Sequence, residues 1–164
     1  MTEKIYNVLF ICTGNSARSI LSEGLMNHLG KGRFRAYSAG SHPTGTVNPL
    51  ALAQLARYDM ETNGLRSKSW DEFSQDGAPE LDFVFTVCDK AAGEVCPIWP
   101  GQPMTAHWGV PDPAACEGTD AQKQQAINDA VISLKRRIEL FLALPLPKLD
   151  AVALQKAVRD IGQQ

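Results

Sequence analysis

With 164 residues, 44% of them hydrophobic, the chain is long enough to bury one sizeable core and falls within the span of a single domain. Its formal net charge of -2 gives no general attraction to nucleic acid or anionic lipid, so neither is expected as a partner, and any anion must be captured by a local site. Four cysteines, at 12, 88, 96 and 116, are too few and too scattered for a secreted disulfide scaffold. Met1–Tyr6 shows no basic start followed by a long apolar run, and Val8–Ile11 is far too short to span a bilayer. A cytoplasmic monomer is expected, with each thiol free, ligating or redox-active.

Ile5–Ile11 is nearly continuous apolar sequence rich in Val, Ile and Phe, the pattern of a strand buried on both faces of a parallel sheet, and it is read as the central strand. After Thr13-Gly14-Asn15, the stretch from Ala17 to Leu29 sets Ile20, Leu21, Gly24, Leu25, His28 and Leu29 at helical spacing, with Gly30 as its stop. Phe34–Ser38 reads as a second strand closed by Ala39-Gly40. A second helix runs from Asn48 to Tyr58, with Asn48 as N-cap and Pro49 in the first position. Leu81–Val87 and Met104–Trp108 supply two more strands. Gln122–Ala143 forms a long helix with apolar positions Ala126, Ala130, Ile132, Leu134, Ile138, Phe141 and Leu142.

The alternation predicts a doubly wound α/β fold, a single-domain four-stranded parallel sheet flanked by helices. Residues 1–145 form this domain. Beyond Pro145 and Pro147, residues 146–164 form an extension packed on it, an extra helix capped by Asp150 and stopped by Gly162, with Val152, Leu154, Ala157, Val158 and Ile161 on one side.

The segment Cys12-Thr13-Gly14-Asn15-Ser16-Ala17-Arg18-Ser19 joins the first strand to the first helix. Such a loop turns successive backbone N–H groups, and the positive end of the helix, into one concavity, which makes an anion site. Cys12 lies at its floor as the candidate nucleophile, and the helix terminus and the Arg18 guanidinium both favour its thiolate. Arg18, six residues on, offers a planar fork for two oxygens of a tetrahedral oxyanion. Ser19 is placed to donate to the sulfur, and Asn15 to bridge the loop's own backbone with its amide.

This loop, together with Tyr37-Ser38-Ala39-Gly40, Val87-Cys88-Asp89, Cys96-Pro97 and His107-Trp108-Gly109-Val110-Pro111-Asp112-Pro113, resembles the low-molecular-weight protein tyrosine phosphatase family, and within it the arsenate reductases. The resemblance covers about residues 5 to 143 and leaves the last helix outside. It implies that Thr13 to Ser19 bind the oxyanion and that Asp112 is a general acid protonating the departing oxygen. It also implies that Asn15, Glu23 and Ser38 hold a potassium ion in some members. In the phosphatases two aromatic residues follow that Asp-Pro and wall a slot for a phosphotyrosine ring; here Ala114-Ala115-Cys116 follow.

Phosphate and arsenate share a shape, so the loop alone does not choose between them. A second thiolate attacking the Cys12 sulfur can leave two electrons on arsenic and release arsenite, whereas a phosphorus adduct has no such exit. Cys88 sits where the third strand ends, on the sheet edge that carries the Cys12 loop. Cys96 resembles the family's third redox cysteine, forming Cys88–Cys96 for an outside thioredoxin to reduce. The separation is eight residues where the better-known spacing is seven.

Eight residues of helix rise about 12 Å, and a disulfide needs Cα atoms within about 7 Å, so residues 89–95 are expected to change conformation on oxidation. Two resolving thiols favour thioredoxin over glutathione and glutaredoxin, a route that can dispense with one of them. Cys116 reads as a bystander. His28 reads as structural, His42 as a loop residue and His107 as shaping the Asp112 loop. The rivals are an aryl or protein phosphatase and a non-catalytic oxyanion or redox sensor.

Overall fold

The computed structural model describes residues 4–88, 99, 103–113 and 117–163. Four strands, β1 (Tyr6–Cys12), β2 (Phe34–Gly40), β3 (Phe83–Thr86) and β4 (Met104–His107), form one parallel sheet in the order β2-β1-β3-β4. The helices among the described residues are α1 (Arg18–Leu29), α2 (Pro49–Arg57), α3 (Asp120–Leu142) and α4 (Ala151–Ile161), with short 3-10 turns at Trp70–Phe73 and Leu146–Lys148. The α/β architecture anticipated from the sequence is therefore present. No described helix is long and apolar enough to cross a membrane.

β1 is central because Val8, Leu9, Phe10 and Ile11 are all essentially inaccessible, which only a strand paired on both edges and covered on both faces achieves. Its register sets Cys12 opposite Gly40 and Ile11 opposite Thr86, and Thr86 lies opposite His107. All four strands thus end on one edge, which is where open parallel sheets gather ligands.

Asn48 caps α2 as expected, its side chain accepting from the Leu50 N–H at 2.8 Å. The long helix begins earlier than its apolar pattern suggested. Thr119 and Gln122 form a capping box, each side chain satisfying the other's backbone N–H, so the helix starts at Asp120. Its buried seam is Ile127, Val131, Leu134, Ile138 and Phe141, an alternating 4-3 spacing, with Ala130 beside it. Ile132, expected in the core, is exposed because it lies about 100° around the helix from Val131.

α4 packs on β4 and α3 and covers the edge strand. Val158 and Ile161 are buried, but Val152, expected on the packed side, is exposed in the first turn. Trp108, fully buried and stacked on Phe85 at 3.9 Å between ring centroids, donates its Nε1–H to the Val158 carbonyl at 2.9 Å. Gly162 comes so close to β4 that a side-chain carbon there would overlap the His107 carbonyl oxygen. The last helix therefore holds the start of the segment that carries Asp112.

Candidate oxyanion and thiol site

The Cys12 loop is tied from outside by its carbonyls. His42 N–H donates to the Thr13 carbonyl at 2.9 Å, Thr44 N–H to Gly14 at 3.0 Å, and Asn48 N–H to Ser16 at 2.8 Å. In a trans peptide the C=O and the following N–H point in opposite directions, so the N–H groups of Gly14, Asn15 and Ala17 turn away from that outer layer. Asn15 shows where they face, its N–H reaching Cys12 Sγ at 3.2 Å. Its φ of 47° is the left-handed conformation that Asn tolerates better than most residues.

Cys12 Sγ also lies 2.9 Å from Ser19 Oγ, and the direction of that bond follows from its neighbours. The Lys68 N–H donates to Asn15 Oδ1 at 2.8 Å, which leaves Asn15 Nδ2 to donate to Ser19 Oγ at 2.8 Å. Ser19 accepts there, so its own proton is directed to the sulfur. Two donors thus converge on the sulfur of a buried Cys12. Asn15, expected to bridge the loop's own backbone, instead spans from Ser19 to Lys68, because its left-handed backbone turns the side chain toward those groups.

Gly40, paired with Cys12, has a specific reason to lack a side chain: a Cβ there would stand 2.5 Å from the Thr13 carbonyl oxygen and 3.1 Å from the Asn15 nitrogen. These are backbone atoms that cannot rotate aside. Gly40→Ala is expected to displace the loop, costing about 1–3 kcal/mol by overpacking and slowing alkylation of Cys12 several-fold. Thermal denaturation and the iodoacetamide rate at Cys12 check both.

Arg18 opens α1 and reaches across the sheet edge, its Nη1 donating to the Val110 carbonyl at 3.2 Å and its Nη2 lying 3.6 Å from Asp112 Oδ2. Its side chain is only 16% exposed, whereas that of Asp112 is 42% exposed. The same segment is held behind by Arg137, whose Nη1 donates to the carbonyls of Trp108 and Gly109 at 2.8 Å each. His107 Nδ1 bridges to Thr86 Oγ1 at 2.8 Å across the strand ends. His28, expected to be structural, is exposed.

Cys88, 2% exposed, follows β3 and stands against the loop: the Thr13 N–H donates to its Sγ at 3.3 Å, with Thr13 Oγ1 at 3.6 Å. Adjacent parallel strands bring the two cysteines to this edge, with the Val87 N–H bonded to the Ile11 carbonyl at 2.8 Å. Cys96, Cys116, Ala114, Ala115 and residues 89–95, with the rearrangement expected there, lie outside the described residues. Of the residues associated with potassium, Ser38 Oγ donates to Glu23 Oε1 at 2.6 Å, and that oxygen also faces Lys68 Nζ at 3.6 Å. Lys68 is a component that sequence reasoning missed. Within Arg66-Ser67-Lys68-Ser69 it reads as an ordinary polar loop residue, and nothing local announces its burial.

Comparison with known proteins agrees with this geometry. An arsenate reductase of Halalkalibacterium halodurans is 33% identical over 141 residues, covering 86% of this chain and 96% of that one. One of Staphylococcus aureus is 38% identical over 117 residues, covering 71% and 85%. A solved arsenate reductase in a phosphate-binding state superposes with a TM-score of 0.66 at 26% identity, covering 85% of this chain and 98% of its own. The family model for low molecular weight phosphotyrosine protein phosphatase matches residues 7–143, and the chain belongs to that family.

Proposed function

We propose that this protein is an arsenate reductase that reduces arsenate to arsenite through an internal relay of thiols. The observation that carries the reading is Cys88, a second buried thiol hydrogen-bonded to the Thr13 N–H of the nucleophile's own loop. Hydrolysis of a phosphate ester gives such a thiol nothing to do. The names of the relatives, from Halalkalibacterium halodurans and Staphylococcus aureus, support the same choice of oxyanion.

In the proposed reaction the Cys12 thiolate attacks arsenic(V), an arsenic–oxygen bond breaks, and the departing oxygen leaves as water with a proton from Asp112. Arg18 and the amides of residues 13–19 hold the remaining oxygens. The Cys88 thiolate then attacks Cys12 Sγ; the sulfur–arsenic bond breaks, its electron pair stays on arsenic, and arsenic(III) departs as arsenite. This leaves a Cys12–Cys88 disulfide. Attack by Cys96 on Cys88 frees Cys12, and thioredoxin reduces Cys88–Cys96 by dithiol exchange in the cytoplasm.

Arsenate-dependent NADPH oxidation is expected in the presence of thioredoxin and its reductase, and not with glutathione and glutaredoxin. Equal rates with glutaredoxin, retained in Cys96→Ser, would show the electron route to be wrong. The Arg18–Asp112 pair also favours a second activity, slow hydrolysis of small aryl phosphates, which p-nitrophenyl phosphate would reveal.

A further inference from the structure

Beneath the Cys12 loop lies a charged pair that the chemistry above does not use. Glu23 of α1 and Lys68 of the segment following α2 face each other at 3.6 Å, their side chains only 13% and 7% exposed. Burial pushes the Glu23 carboxyl up and the Lys68 ammonium down from their ordinary values, and each is drawn back toward its charged form by the other. A buried ion pair is a costly way to fill space, so its position is informative.

Lys68 joins three parts of the site. Its ammonium reaches Glu23 and donates to the Arg66 carbonyl at 3.1 Å. Its carbonyl accepts from the Gly40 N–H at 2.9 Å, and its own N–H donates to Asn15 Oδ1. From Asn15 the chain of donors runs through Ser19 to the Cys12 sulfur. The ammonium therefore anchors the residue whose backbone sets the direction of the proton at Ser19.

The family resemblance associates Asn15, Glu23 and Ser38 with a potassium ion, and the donor set here does not suit one. The Ser38 proton is directed to Glu23 Oε1, Asn15 Oδ1 is taken by Lys68 N–H, and the carboxylate already faces an ammonium. A metal cation at the same oxygen would set two positive charges side by side out of bulk water. We infer that Lys68 is a positioning residue of the Cys12 site whose ammonium serves as a built-in cation beneath the loop, in place of a bound monovalent metal ion. The inference concerns the reactivity of Cys12 and holds for either oxyanion chemistry. A cleft of about 510 Å³, lined by Glu23, Tyr37, Arg66, Lys68 and Glu72, gives an ion access to Glu23 once the lysine side chain is shortened or neutral.

The test compares wild type, Lys68→Met and the Glu23→Gln/Lys68→Met double variant in potassium chloride and in choline chloride at equal ionic strength. Iodoacetamide labelling of Cys12, followed by peptide mass spectrometry, and melting temperature are measured without arsenate. The wild type is expected to be indifferent to the salt. Lys68→Met should label several-fold more slowly in choline and recover rate and melting temperature in potassium, while the double variant labels slowly in both. A potassium response in the wild type, or wild-type labelling of Lys68→Met in choline, overturns the inference. Should Lys68→Met fail to fold in either salt, the double variant decides, because it buries no charge: a wild-type labelling rate there also overturns it.

Discussion

Mixed with one equivalent of arsenate and no external thiol, Cys88→Ser will form an adduct at Cys12 yet release no arsenite, whereas Cys12→Ser will do neither. Multiple-turnover activity falls to background in both, so steady-state assays do not separate them, but a single turnover does. Removing Cys12 removes the sulfur at the loop floor that meets donors from both Asn15 and Ser19. A serine oxygen in its place would be protonated at neutral pH and a far poorer nucleophile. Removing Cys88 leaves those donors and Arg18 untouched and deletes only the thiol beside Thr13. The sulfur–arsenic bond can then form, but among the described residues no other thiol stands beside Cys12 to break it. Rapid quench with arsenite detection reads the difference directly.

Arg18→Lys is expected to lower kcat/KM for arsenate by about 10²–10³, the usual loss for one preorganised oxyanion donor. The charge is kept, so a loss of that size reports geometry. Lysine offers a point charge where arginine offers a fork, and it cannot bind an oxyanion in a bidentate manner while Asp112 is held 3.6 Å away and the Val110 carbonyl is satisfied. Because the Asp112 segment is also held by Arg137 and, through Trp108, by α4, the fold should survive the change. A melting temperature near that of wild type beside the collapsed kcat/KM distinguishes the two effects. Recovery of activity toward wild type would mean that the guanidinium fork is not what holds the oxyanion.

Most of what positions Cys12 was legible in the sequence because it is local. An apolar run, a Gly-containing turn and a helix pattern fix a strand, a loop and a helix within two dozen residues, and the parallel topology brings Cys88 to the same edge. Less legible were contacts between distant segments. Asn15 meets the Lys68 backbone 53 residues away, and Lys68 finds Glu23 from a loop with no periodicity of its own. The long helix shows a different limit. Ile127, Val131 and Ile132 are all β-branched and apolar, and only the tertiary contact with α1 and α2, and of Phe141 with Phe34, Phe83 and Phe85, decides that Ile132 faces water. Its start was written in Thr119-x-x-Gln122, a capping signal that the apolar pattern overshadowed.

The central claim is that Cys88 takes the bond from Cys12, and trapping the disulfide tests it most directly. Reduced Cys96→Ser, treated with one equivalent of arsenate, quenched in acid and mapped by mass spectrometry, is predicted to yield one arsenite and one Cys12–Cys88 disulfide per chain, and the wild type a Cys88–Cys96 disulfide. Arsenite released in stoichiometric amount with Cys88 still carrying a free thiol would contradict the account.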